Sequence, residues 1–109
     1  MLDKFGTGWR EVFSKRLNAM LDKLPDISVI AIERFRGMLR IEAKALDNDV
    51  QYIVDCVTYK IERESVNTCE ECGNHGIRRD AHIPEMMCLC WKCYALKVDA
   101  LQSSEHTTK

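Results

Sequence analysis

Backbone breakers are scarce in this chain. Two prolines and five glycines in 109 residues leave nothing from which to build a proline-rich or glycine-rich linker, and no repeat or low-complexity stretch is visible. Long apolar runs are also missing, since none approaches the ~18–20 residues that span a bilayer. The opening MLDKFGTGWREVF is amphipathic and lacks the apolar segment and small-residue cleavage site of a secretory signal. The expectation is a cytoplasmic protein with no membrane partner. Nor does charge of one sign dominate. Sixteen basic and seventeen acidic residues sum to −1, and the balance holds locally, with eleven of each sign in residues 1–68 and five basic against six acidic in 69–109. Strong non-specific nucleic-acid binders usually carry a basic excess or face, so a protein partner ranks ahead of DNA or RNA.

A chain of this length supplies one core, or one core with a small metal-stabilised appendage. Apolar residues recur at Trp9, Val12, Phe13, Leu17, Met20, Leu21 and Leu24, the i, i+3, i+4 spacing of a helix with one buried stripe, and Pro25 ends it. ISVIAIERF (27–35) is rich in β-branched residues. MLRIEAKA (38–45) sets Leu39, Ile41 and Ala43 against Met38, Arg40, Glu42 and Lys44, a period of two that predicts a half-buried strand, with Arg36-Gly37 near the turn of a hairpin. LDND (46–49) offers helix-capping oxygens, and Val50, Ile53, Val54, Val57 and Ile61 carry a second helix to about Glu64. The fold class is α+β: a helix–β-hairpin–helix layer over residues 1–68, both helices on one face of the sheet. A finger with a C-terminal helix follows over 69–102, then a polar tail over 103–109.

Cysteine is the residue in abundance, with five of six inside residues 69–93. In a reducing compartment such clustering points to metal more than to disulfides. Cys69-Glu-Glu-Cys72-Gly73 is a knuckle that can place two thiolates on one cation, and Cys90-Trp-Lys-Cys93 repeats its spacing seventeen residues on. Four cysteines at tetrahedral corners are a structural zinc site, so the expected ligands of one zinc ion are Cys69, Cys72, Cys90 and Cys93. Cys88 also lies within reach, but Cys90 and Cys93 match the first pair and open a helical YALKVDALQ, whose positive end favours thiolate. Knuckle, hairpin and helix in that order suggest a treble-clef or zinc-ribbon-like finger. His75 and His82 are alternative ligands to a shell that four cysteines already close. Cys56 reads as a small buried or half-buried residue. Arg78, Arg79, His82 and Trp91 are the candidate partner contacts. The plainer readings are a solvated loop for the arginine pair and packing on the helix–hairpin layer for Met86, Met87 and Trp91.

Three resemblances bear on function. Asp80-Ala-His82-Ile-Pro84, Leu89-Cys90-x-x-Cys93 and Lys97 resemble HNH nucleases, although Pro84 and Cys90 are too close to hold that family's central asparagine segment and Tyr94 stands where a last histidine is often found. Cys69-Glu-Glu-Cys72-Gly73, Ile77, Pro84, Cys90 and Cys93 are spaced as in the finger of DksA/TraR-type regulators, which implies a contact in the secondary channel of bacterial RNA polymerase. The family's long coiled coil is replaced here by a hairpin. The broadest likeness is to small phage- and prophage-encoded proteins, carried by Gly8-Trp9, Glu33-Arg-Phe35 leading to Leu39-Arg40, Ser65-Val-Asn-Thr68 running into the knuckle, and Leu89-Cys90-x-x-Cys93. That likeness implies this architecture and a phage or bacterial setting.

A filled metal shell, with no His-x-Glu and no Pro-Cys-x-x-Cys of the zinc deaminases, points away from an enzyme. The expected function is a non-catalytic zinc protein that binds a host macromolecule, first a protein of bacterial defence or transcription. A polymerase regulator, a nucleic-acid-binding finger, a degenerate nuclease and a self-assembling homodimer are the alternatives. Chelation is expected to unfold residues 69–102 first.

Overall fold

The computed structural model describes residues 1–107, with side chains through residue 102. Helix α1 (Thr7–Lys23) buries Trp9, Phe13, Leu17 and Met20, four positions spaced to fall on one helical face. Val12 stands at the edge of that stripe and is exposed, where the spacing placed it inside. At the C-terminus Leu24 donates its N–H to Met20 O. Pro25 and Asp26, the latter with a left-handed φ of 53°, then turn the chain into β1 (Ile27–Phe35).

β1 pairs antiparallel with β2 (Met38–Ala45). The two residues between them, Arg36 and Gly37, have φ of 50° and 76°, the paired positive values of the two-residue turn whose twist matches that of the strands. A bulge interrupts the register between Val29 and Ala31, so that Val29 lies opposite Ala43 while Ile32 lies opposite Ile41. The extra residue, Ile30, resets the alternation of β1 and is left exposed. Ile27, Val29, Ile32 and Arg34 thereby share the inner face with Leu39, Ile41 and Ala43.

Helix α2 (Asn48–Ser65) begins at Asp47, whose carboxylate accepts the N–H groups of Asp49 and Val50, the cap expected of LDND. Val54, Thr58, Ile61 and Ser65 form its buried face. Three of its polar side chains do a different job: Ser65 Oγ, Glu62 Oε2 and Gln51 Oε1 accept the N–H groups of Leu39, Ile41 and Ala45, and Gln51 Nε2 donates to Ala43 O. The outer edge of β2 is thus satisfied by side chains along a helix, which protects it as a neighbouring strand would. Ile53 and Cys56 lie away from the core and are exposed. Both were expected inside; the helical period that buries Val54 and Ile61 carries positions 53 and 56 to the far side.

One apolar core joins α1, the inner face of the hairpin and α2, with Leu2, Phe5 and Cys88 closing its ends. Phe5 and Trp9 meet edge to face at 5.6 Å. The finger follows as a second hairpin, β3 (Ile77–Arg79) paired antiparallel with β4 (Met87–Leu89), and helix α3 (Trp91–Thr107). Its own cluster is small: Cys69, Ile83, Met87 and Leu89 are buried, with Cys90, Cys93, Tyr94 and Val98 packed against them. The backbone of residues 103–107 continues α3, and residues 108–109 of the expected tail lie outside the described residues. Among the described residues no helix is long and apolar enough to cross a membrane.

Candidate metal centre

The Sγ atoms of Cys69, Cys72, Cys90 and Cys93 all lie within 4.8 Å of one another. A tetrahedral thiolate site with Zn–S of about 2.3 Å holds its sulfurs about 3.8 Å apart, and Cys72 Sγ and Cys90 Sγ stand at 3.7 Å. The four residues therefore fit a single metal ion. Local backbone geometry explains how they converge. In the knuckle, Gly73 N–H donates to Cys69 O and Cys69 N–H donates to Asn74 O, a tight turn that Gly73 completes at a φ of 81°. The second pair sits where β4 gives way to α3. Cys90 occupies the position before the helix, and the Cys93 N–H, 3.4 Å from Cys90 Sγ, points at its sulfur as it would at the oxygen of a serine cap.

That amide is the first cause drawing the Cys90 thiol down to about 7. Burial is the first cause raising Cys93, and the neighbouring thiols raise it further. A metal ion must therefore displace protons to be bound, which makes its affinity fall as pH falls.

Cys88 belongs elsewhere. It is fully buried in β4, donates from Sγ to Val66 O at 3.3 Å and packs with the large core. Burial, with the nearby Glu70 carboxylate and Cys69, pushes its thiol up to about 12, the state of an inert structural cysteine. Five cysteines compete for four places, and spacing alone selected Cys90 and Cys93 over Cys88. Strand alternation agrees, pointing Cys88 into the apolar layer.

The finger is built into the fold at three points. First, helix α1 has no side-chain cap at Gly6; its leading amides are met by the knuckle instead, Gly8 N–H donating to Glu71 O and Trp9 N–H to Glu70 O. Trp9 Nε1 adds a 2.8 Å bond to Thr68 O. So close is this approach that a Cβ on Gly8 would lie 2.2 Å from Cys69 O and 2.3 Å from Gly73 N. Second, the Glu70 side chain is wholly buried between the layers. Arg34 Nε donates to its Oε1 and Cys88 N–H to its Oε2, each at 2.8 Å, while Arg34 also reaches Glu85. Burial raises the Glu70 carboxyl, and the Cys88 amide and Arg34 pull it back. Third, the tip of the first hairpin rests on the second: a Cβ on Gly37 would meet Arg78 Cγ at 2.9 Å and Cys88 N at 3.2 Å.

In the sequence, Gly8 and Glu70 stand out only as parts of motifs, which misses the packing role of each. A signal for each was present. Glycine in the first turn of a helix costs stability unless a backbone approaches closely, and Cys-Glu-Glu-Cys offers a carboxylate on either side of a turn, one of which faces inward.

Of the candidate contacts, Arg79 is committed within the finger: its Nε donates to Leu89 O at 2.9 Å and its guanidinium lies 5.0 Å from the Tyr94 ring centroid. Tyr94 in turn donates to Ala81 O at 2.6 Å. Arg78 is exposed and its Nη1 approaches Arg36 O. His82 is exposed with a left-handed φ of 63°, and His75 is exposed; neither joins the cysteine group. Trp91, expected against the helix–hairpin layer on the plainer reading, is 67% exposed, whereas Met87 is buried in the finger cluster. As the first residue of α3, Trp91 precedes the turn that faces the metal ligands, and its side chain is carried outward. No family model, no curated protein and no solved structure matches the chain.

Proposed function

We propose that the chain is a non-catalytic zinc-binding protein that docks onto a bacterial host protein, of defence or of transcription, in the cytoplasm and in a phage or prophage setting. The observation that carries this reading is the closed ligand set. Two thiols from the knuckle and two from the start of α3 converge on one point, and four thiolates occupy every position of a tetrahedral zinc ion, leaving none for water or substrate. Three polar side chains around the finger are already engaged: Glu70 with Arg34 and the Cys88 amide, Arg79 with Leu89 O, Tyr94 with Ala81 O. Zinc is the fitting metal because all four donors are soft thiolates in tetrahedral reach. Its role is to hold the finger against the core, so that the exposed indole of Trp91, with Arg78 and His82 on the same finger, is presented on a rigid support. Exposed aromatic and arginine side chains are those most often found carrying binding energy at interfaces.

The test is retention from bacterial extract on tagged, zinc-loaded protein, with and without nuclease, beside Trp91→Ala. A protein retained after nuclease and lost with Trp91→Ala supports the reading, and elemental analysis should give one zinc per chain. Recovery of nucleic acid alone, or metal-dependent turnover abolished by a single non-ligand substitution such as His82→Ala, refutes it.

A further inference from the structure

The side of α2 turned away from the core is not an ordinary solvated face. Tyr52 is 71% exposed, Tyr59 63% and Ile53 44%, and Cys56 between them is exposed as well. Asp49, Lys60 and Arg63 complete the stripe, all exposed. At 100° per residue these positions fall together, opposite the Val54–Thr58–Ile61–Ser65 face that meets the core. Among the described residues none of the charged or tyrosyl side chains of the stripe takes part in an ion pair or side-chain hydrogen bond within the chain.

The order of residues along the stripe is self-complementary about Cys56. Asp49 and Arg63 lie seven residues either side of it, Tyr52 and Lys60 four, and Ile53 and Tyr59 three. Reversing the helix end for end about Cys56 therefore lays acid close to base at each end of the seam, and on its flanks sets Tyr52 beside Tyr59 and Ile53 beside the aliphatic stem of Lys60. Such a surface matches a copy of itself in an isologous, two-fold pairing, and it does so with opposite charges at both ends of the contact and apolar groups at its middle.

We propose that a second copy of this chain docks on the outer face of α2, the two helices antiparallel about a two-fold axis near Cys56. Asp49 of each copy then meets Arg63 of the other, Tyr52 meets Tyr59, and Ile53 meets the stem of Lys60. This pairing uses residues of α2 alone, none of the four clustered cysteines and none of Arg78, His82 and Trp91.

Sedimentation equilibrium on the zinc-loaded protein across roughly 1–200 µM, the range that resolves micromolar dissociation, should show a reversible dimer. Asp49→Arg should weaken dimerisation at least about tenfold, as should Tyr52→Ala with Tyr59→Ala. Asp49→Arg combined with Arg63→Asp should return it to within about threefold of the original. The double change sets a base at the helix N-terminus and an acid at its C-terminus, worse for the helix dipole than either change alone. Recovery would therefore come from the restored pairing and not from a steadier helix. Circular dichroism and zinc content confirm that each variant is folded. A protein monomeric across the whole range overturns the proposal. So does a dimer indifferent to both the charge reversal and the tyrosine substitutions.

Discussion

Residues 1–68 and residues 69–102 are held together by different physics. The first region closes a core in which Trp9, Phe13, Leu17, Leu39, Val54 and Ile61 are completely buried, each such side chain being worth about 1.5–3 kcal/mol. The second has two strands of three residues, too short to persist alone, and a cluster in which three of eight residues are cysteines. There, coordination of one metal ion can supply on the order of 10 kcal/mol. An expectation of two regions separated by residue 68 treats the metal as serving only the second. The contacts of Gly8, Trp9, Arg34 and Gly37 with the finger tell against so clean a partition. The knuckle's carbonyls are the N-terminal cap of α1, so a ligand-bearing turn completes a helix sixty residues upstream.

Metal removal should break the comparison most completely. On chelation, or with Cys69→Ser or Cys93→Ser, hydrogen exchange should show the finger losing protection. The amides of Gly8 and Trp9 should lose it in the same step, because their acceptors lie in the knuckle. If those two amides stay protected while the finger opens, α1 does not depend on the metal. Next in size is Gly8→Ala. Helix propensity alone predicts a gain of about 1 kcal/mol, but the added Cβ would stand 2.2 Å from Cys69 O. The expected outcome in chemical denaturation is a loss of about 3 kcal/mol, with weaker metal retention; a neutral or stabilised protein would show that the approach can relax.

Arg34→Met should cost about 3 kcal/mol, because it strands the buried Glu70 carboxylate. Glu70→Gln should cost less, since an amide oxygen can still accept the Cys88 N–H. Smaller again is the pair on the outer surface. Arg16 lies 2.7 Å from Glu64, and that hydrogen bond holds the Glu64 carboxyl below its ordinary value of 4.5. A lowered folded-state value contributes stability above about pH 4.5 that fades as pH falls below it. Both groups are well exposed, so screening limits the contribution to about 0.5 kcal/mol. Arg16→Met should remove that small acid-side slope in a stability–pH profile and leave metal content untouched. Cys56→Ser, on the face of α2 remote from the thiol cluster, should change metal content not at all; loss of metal comparable to Cys72→Ser would contradict the ligand set.

Much of this architecture was legible in the sequence because it rests on local chemistry. Strand limits at 27–35 and 38–45 follow from β-branched residues, period-two alternation and a glycine at the turn. The start of α2 follows from Asp47, and the four-cysteine group follows from two Cys-x-x-Cys pairs. The obscure features are those decided by a distant partner. Ile30 cannot be recognised as a bulge until β2 fixes the register. Spacing alone favours Cys90 over Cys88, but where Cys88 goes instead is visible only when the alternation of β4 is seen against the large core. Glu70 looks like any surface carboxylate until Arg34, thirty-six residues away, is placed over it. Cys56 and Ile53 sit beside truly buried positions in a helix whose apolar residues lie on more than one face, where hydropathy counts them alike.

The cap on α1 also sets an order in time. A ribosome delivers Gly8 and Trp9 about sixty residues before their hydrogen-bond acceptors, the carbonyls of residues 71 and 70. Until then the first helix has exposed leading amides and an indole with nothing to receive its proton. Although domains usually begin to organise from the end synthesised first, α1 is finished only at the moment the knuckle downstream of it emerges and closes.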